Sequence, residues 1–218
     1  MGKIISVKQA VDKVFDGASI MFGGFMANGS ANTIIDALVD KGVKDLTIIC
    51  NDSGLVDKGV GKLIVNKQCK KLIATHIGLN RETGNQMTEG SLDVTLVPQG
   101  TLVEQIRAYG YGLGGVLTRT GLGTLVEEGK QKIDVDGVTY LLEKPLKADF
   151  AIIYGNVADD FGNMAHKGST NNFNEVMATA ADVVIAEADD IVDCLDPNMV
   201  NIPGIFVDFL VKGEGGNG

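Results

Sequence analysis

Short apolar runs alternate with amphipathic segments along most of this chain: ASIMF, LTIIC, KLIATHIG, DVTLV, ADFAIIYG, DVVIAEA and GIFVDFLV are the runs. A run that is apolar throughout belongs to a strand buried on both faces, and strands separated by helices belong to a parallel sheet. The pattern therefore predicts an α/β fold, a mostly parallel open sheet with flanking helices. SVKQAVDKVF sets Val7, Ala10, Val11 and Val14 on one helical face, and ANTIIDALVDKG does the same with Ile34, Ile35, Leu38 and Val39. Ser30 or Asn28 can cap the second helix and Gly42 suits its end. Further helices are expected near VGKLIVNKQ and over TLVEQIRAY, with a polar stretch before DVTLV.

KIDVDGVTYLLE alternates on both sides of an Asp-Gly pair, the pattern of a β-hairpin, here over residues 132–143. It is expected to be inserted outside the main sheet. NVADDFGNMAHKGSTNN reads as a polar loop leading to a short helix. No linker or internal repeat interrupts the chain, so residues 1–212 are expected to form one domain and residues 213–218, GEGGNG, a frayed tail.

A chain of 218 residues can bury a core without metal or disulfide help. With 28 acidic against 19 basic residues its net charge is −9, which argues against nonspecific nucleic-acid or anionic-membrane partners. Cys50, Cys69 and Cys194 are odd in number and spaced widely in apolar stretches, as reduced core thiols would be. No signal-peptide h-region and no membrane-length apolar run is present, so a cytoplasmic protein is expected.

The 29 glycines exceed the usual ~7 % of residues and concentrate at predicted strand exits. MFGGFMANGSA, residues 21–31, places Gly23 and Gly24 between a strand and a helix, where a loop can expose backbone N–H groups to an anion or simply turn. In open α/β sheets, ligands bind beyond the carboxyl ends of strands. A Walker loop would need Lys-Ser/Thr after the last glycine, but Ser30 and Ala31 stand near those positions. A dinucleotide fingerprint fails on the spacing of Gly23, Gly24 and Gly29, although Asp52 ends the next strand. The glycines from Gly110 to Gly115 have no packing reason visible in the sequence.

Metal chemistry finds little support, since His76 and His166 are the only histidines and neither has a soft ligand beside it in sequence. His76 reads as a strand residue, whereas His166 is open to a solvated or a ligand-facing role. No GxSxG is present, and Ser91 and Ser169 have no neighbouring base. Glu104 and Arg107, three apart on a predicted helix, are expected to pair at the surface. The chain is thus rich in glycines and amides but shows no motif that marks a catalytic acid, base or nucleophile, which suits a subunit whose reactive group comes from a partner.

DGASIMFGGFMANGSA is similar to the first signature of the family I coenzyme A transferases: Asp-Gly, apolar residues, GGF and a further Gly-x-Pro. Ala31 stands where the family has the proline. PQGTLVEQIRAYGYGLGGVLTRTGLGT, IICNDSG and GNMAHKGSTNNFN resemble the family's alpha subunits over residues 4–212, best those of the acetate/butyrate-acetoacetate transferases. The resemblance implies an enzyme active only with a beta subunit, in an α2β2 heterotetramer. Such an enzyme moves CoA between acyl-CoA and acetate, butyrate or acetoacetate through a ping-pong glutamyl-CoA intermediate. CoA is a substrate and no cofactor or metal is expected.

The family's nucleophilic glutamate lies in a Ser-Glu-Asn-Gly motif on the beta subunit. That motif is absent here, so no nucleophile is assigned to this chain. The resemblance places Gln99 in the active site as a carboxylate or oxyanion donor, where the residue alone also fits a turn after Pro98. Gly23, Gly24 and Phe25 could shape an acyl pocket and present N–H groups, or form a structural turn. Asn51 is either a substrate contact or a strand-end cap. Two further alternatives are a CoA-binding regulatory protein and a sugar-phosphate isomerase of similar fold.

Overall fold

The computed structural model describes residues 3–215. Seven parallel strands form the main sheet in the order β4-β3-β2-β1-β8-β10-β11. They are β1 (Ser19–Phe22), β2 (Leu46–Asp52), β3 (Cys69–His76), β4 (Asp93–Leu96), β8 (Ala148–Asp159), β10 (Ala181–Val192) and β11 (Phe209–Lys212). The two-residue β9 (Met164–Ala165) pairs antiparallel with β8. Helices α1 (Val7–Asp12), α2 (Asn32–Lys41) and α3 (Gly61–Val65) cover one face. The other is covered by α5 (Gln99–Gly110) and α6 (Asn174–Met177).

The strand period of two divides the core between these faces. Ile20, Phe22, Ile48, Cys50 and Leu72 pack with Ile34, Ile35 and Leu38 of α2. Met21 and Ile49 turn the other way, to Leu102 and Ile106 of α5 and Met177 of α6. The expected stripe of α2 is therefore the one it buries, and Gly42 ends the helix in the left-handed conformation at φ 69°. The expected cap differs. Ala31 is the N-cap, with no side-chain hydrogen bond of its own, and the acceptor for the first N–H groups comes from a distant strand.

The hairpin stands outside the main sheet: β6 (Lys132–Val135) and β7 (Val138–Glu143) join β5 (Val116–Thr118) in a separate antiparallel sheet. Asp136 and Gly137 turn the hairpin with φ of 50° and 79°. Glu143, buried, accepts from Gln105 Nε2 at 2.9 Å and pairs with Lys130 Nζ at 2.6 Å, clipping this small sheet to α5. Two of the four glycines from Gly110 to Gly115 have a packing reason, while Gly112 and Gly114 face open space. A Cβ at Gly110 would stand 2.1 Å from Thr179 Oγ1, and one at Gly115 2.7 Å from Glu143 O.

Several elements differ from expectation. The polar stretch before β4 is a helix, α4 (Arg81–Glu89), capped by Asn80. Its buried residues, Thr83 and Gln86, are polar, so no apolar stripe advertises it. The supposed loop after residue 155 begins as four more residues of β8, because the buried Asn156 satisfies its amide with the Tyr154 hydroxyl, the Lys167 N–H and the Thr170 hydroxyl. In GIFVDFLV only Phe209 onward is strand, since residues 204–206 make a 3₁₀ turn after Pro203. Cys50 and Cys69 are buried thiols, but Cys194 is exposed. At the expected tail, the Gly213 N–H donates to Ala188 O and the Glu214 N–H to Thr33 Oγ1, while residues 216–218 lie outside the described chain.

Candidate active site

From β1 the chain proceeds outward through β2, β3 and β4, then crosses to β8 on the other side of β1 and continues to β10 and β11. Loops leaving β1 and β8 therefore diverge at a topological switch point, the place where such sheets form a crevice. The MFGGFMANGSA loop occupies that place. Gly23 donates to Ile152 O at 3.1 Å, and a Cβ there would stand 1.7 Å from Asn174 Oδ1, so only glycine fits. At Gly24, φ is 105° and a Cβ would meet Ser30 Oγ at 2.2 Å.

Phe25 and Asn28 exchange backbone hydrogen bonds of 3.0 and 2.9 Å around Met26 and Ala27, both at positive φ. This tight turn is held from outside. Asp52 accepts from the Met26 N–H at 3.1 Å, and the buried Asn174 amide donates to Gly29 O and Thr170 O while accepting from the Tyr154 N–H. Of the three N–H groups expected to face a ligand, those of Gly23 and Phe25 are consumed within the fold. The Gly24 N–H has no acceptor among the described residues.

The helix that follows could have been an anion site, because its first N–H groups point out of the sheet edge. Glu187 of β10 already fills it. Its carboxylate accepts from the Thr33 N–H at 3.2 Å and the Ile34 N–H at 2.9 Å, and its side chain is buried. Burial raises its pKa above the ordinary range, and the two N–H donors offset only part of that. A phosphate at this helix would have to displace the protein's own carboxylate, in keeping with the absence of a complete nucleotide-cradle motif from the sequence.

On the α5 face, Asn51 at the end of β2 and Gln99 at the start of α5 meet. Gln99 Nε2 donates to Asn51 Oδ1 at 2.9 Å. Asn51 Nδ2 donates to Asn172 Oδ1 at 3.2 Å, and the Thr75 hydroxyl of β3 lies 2.7 Å from Asn51 O and 2.9 Å from Asn51 Oδ1. Asn51 is buried, whereas Gln99 and Asn172 are exposed. Pro98 starts the helix, and its carbonyl accepts from Leu102. The cluster thus has neutral donors and acceptors with unused valences on Gln99, and no carboxylate, thiol or imidazole belongs to it among the described residues.

Sequence reasoning named Gln99 and Asn51 and the structure joins them. It separates the glycine loop, which sits at the β1 exit, from direct hydrogen bonding to that pair. Thr75, Asn172, Asn174 and Glu187 escaped individual notice, and Asp52 stood out only as the acid a dinucleotide fingerprint would need, not as the acceptor that holds the glycine loop. Asn172 and Asn174 lie in GNMAHKGSTNNFN, where two amides close in sequence were the available signal, and Thr75 and Glu187 look like ordinary strand residues. His76 ends β3 and is exposed. His166 Nε2 donates to Tyr154 O at 2.7 Å and its own N–H goes to Asn201, so its hydrogen bonds lie outside the amide cluster. Burial lowers its pKa. Glu104 and Arg107 pair at 3.3 Å on an exposed face.

Comparison with known proteins finds that the coenzyme A transferase family model matches residues 4–213. The chain belongs to the coenzyme A transferase family. It is 48 % identical over 214 residues to the acetate CoA-transferase subunit alpha of Escherichia coli, covering 97 % of each chain. It is 50 % identical over 212 residues to the acetoacetyl-CoA:acetate/butyrate CoA transferase alpha subunit of Clostridium acetobutylicum, covering 96 % of this chain and 97 % of that one. Its fold is also that of an E. coli acyl-CoA transferase solved as a thioester complex with CoA, with a TM-score of 0.87 at 23 % identity. That match covers 97 % of this chain and 47 % of the other, so the chain spans about half the length of that transferase.

Proposed function

We propose that this CoA transferase chain is the alpha subunit of an α2β2 enzyme that moves CoA between acyl-CoA and short-chain carboxylates, with acetate, butyrate and acetoacetate as its substrates. The observation that carries the reading is the Gln99 amide, held by Asn51 at the sheet's carboxyl edge within a cluster to which no carboxylate, thiol or imidazole belongs among the described residues. Such a site can stabilise an oxyanion but cannot start the reaction, which is the division of labour expected when the nucleophile belongs to a partner.

In the mechanism this implies, a beta-subunit glutamate attacks the acyl-CoA carbonyl and expels CoA thiolate, leaving a mixed anhydride. The thiolate then attacks the glutamyl carbonyl, releases the first carboxylate and leaves a glutamyl-CoA thioester. The second carboxylate reverses these steps and departs as the new acyl-CoA. One thioester replaces another, so no ATP is consumed and CoA is substrate rather than resident cofactor. Each addition builds negative charge on a carbonyl oxygen, where a fixed donor such as Gln99 contributes about 3 kcal/mol. Gly23, Gly24 and Phe25 form the neighbouring wall, with the Gly24 N–H as the backbone donor still unspent.

A cytoplasmic location accompanies this reading. No helix among the described residues is long and apolar enough to cross a membrane. The test is to purify the chain alone and with a beta subunit and to follow acetoacetyl-CoA consumption with acetate. Turnover is expected only from the pair, with a borohydride-reducible adduct on the beta chain. Turnover by the chain alone would overturn the shared site.

A further inference from the structure

A glutamine amide has an accepting end and a donating end of nearly the same shape, and its neighbours decide which end points where. If Gln99 were flipped, Oε1 would stand where the structure now puts Nε2, and an oxygen there would repel an oxyanion. Something must therefore fix the sense of this amide.

Phe173 begins the chain of partners, because its backbone N–H can only donate. It reaches Asn172 Oδ1 at 2.9 Å, so that atom is held as the oxygen. Asn172 Oδ1 also faces Asn51 at 3.2 Å, and Asn51 must answer with Nδ2. The other end of Asn51, Oδ1, then faces Gln99, which must present Nε2 at 2.9 Å. The Thr75 hydroxyl, 2.9 Å from Asn51 Oδ1, can donate or accept and so leaves the sense of Asn51 to Asn172. Each amide then leaves the next one a single choice, and the first choice is made by a backbone group that cannot flip. Asn172 itself sits at φ 39°, a conformation that asparagine tolerates better than most side chains.

We infer that Asn172 is a positioning residue that sets the donor sense of the Asn51–Gln99 amide chain, and so decides that Gln99 offers an N–H rather than an oxygen beside Asn51. It touches no reacting atom in this scheme and acts through two other side chains. The inference rests on the proposed role of Gln99.

The two-subunit enzyme tests it with Asn172→Gly and Asn172→Asp. Glycine keeps the positive φ without strain but removes the acceptor; aspartate keeps an acceptor for both N–H groups. Asn172→Gly should lower kcat about tenfold or more with assembly intact and KM for acetoacetyl-CoA within about twofold, because the loss falls on the transition state. Asn172→Asp should stay within about threefold of wild-type kcat. In a Gln99→Ala background, Asn172→Gly should add no further loss, since the amide it orients is gone. Wild-type kcat in Asn172→Gly, or a fully additive loss in the double variant, would overturn the inference while leaving Gln99 in place. Wild-type kcat in Gln99→Ala alone would instead overturn the role of Gln99, and the inference with it.

Discussion

At its carboxyl edge the sheet presents two different polar surfaces, one on each face. On the α2 and α3 face stand buried carboxylates: Asp52 accepts from the Met26 and Gly54 N–H groups, and Glu187 from those of Thr33 and Ile34. On the α5 face stand the amides of Gln99, Asn51 and Asn172 with the Thr75 hydroxyl. The carboxylates spend their acceptors on the fold's own backbone, fixing the glycine loop and the start of α2. The amides satisfy one another and leave valence on the exposed Gln99. Ionisable side chains are therefore used here for construction, and the neutral amides keep free valence at the surface.

The comparison predicts that breaking the construction side costs stability and breaking the other costs turnover. Gly23→Ala is the most severe change, because the new Cβ would displace the Asn174 amide and with it the contacts to Tyr154, Gly29 and Thr170. A loss of about 4 kcal/mol or more is expected, seen as a lower denaturation midpoint or no soluble protein. Gln99→Ala should do the reverse: kcat of the two-subunit enzyme falls about 10²-fold while the melting temperature and assembly stay as they are. Loss of assembly would place Gln99 on the construction side.

Glu187→Ala removes the acceptor at α2 and should cost about 2 kcal/mol in denaturant unfolding, with kcat of the surviving enzyme little changed. The milder Glu187→Gln isolates the charge. Burial raises the folded-state pKa of Glu187 above its unfolded value, so its contribution is complete below the unfolded value and is lost as pH rises through the folded one. The stability of wild type relative to Glu187→Gln should therefore fall as pH is raised from about 4.5. A gap that grows with pH would show the carboxylate to be favoured as the anion. Smallest of all, Glu104→Ala breaks the exposed pair with Arg107 and should shift stability by no more than about 0.5 kcal/mol.

Much of the fold was legible because buried parallel strands carry their signal locally: β1, β2, β8 and β10 are apolar runs, and α2 shows its stripe. The helix α4 was not, since its buried Thr83 and Gln86 satisfy their environment by position rather than by apolarity. The far ends of β8 and β10 were hidden in the same way, by polar residues such as Asn156 and Asp189 whose hydrogen bonds only the folded chain brings into place. Within the site, Gln99 was legible from its resemblance to the family and its place after DVTLVP, and the glycine loop from its doubled glycine. The carboxylate at the start of α2 had no local sign, for Glu187 lies 153 residues from Ile34.

By itself, then, the sequence determined an alternating α/β chain, a glycine turn at the first strand's exit, a glutamine at the fourth strand's exit, and the absence of any motif that marks a nucleophile. Only the tertiary structure decided that Asn172 faces Asn51, that Glu187 occupies the start of α2, and that Asn174 leaves no room for a side chain at Gly23. The reason is physical. Strand and helix periodicity are properties of neighbouring residues, but a hydrogen bond across the switch point depends on the order in which the strands assemble, which no local pattern encodes.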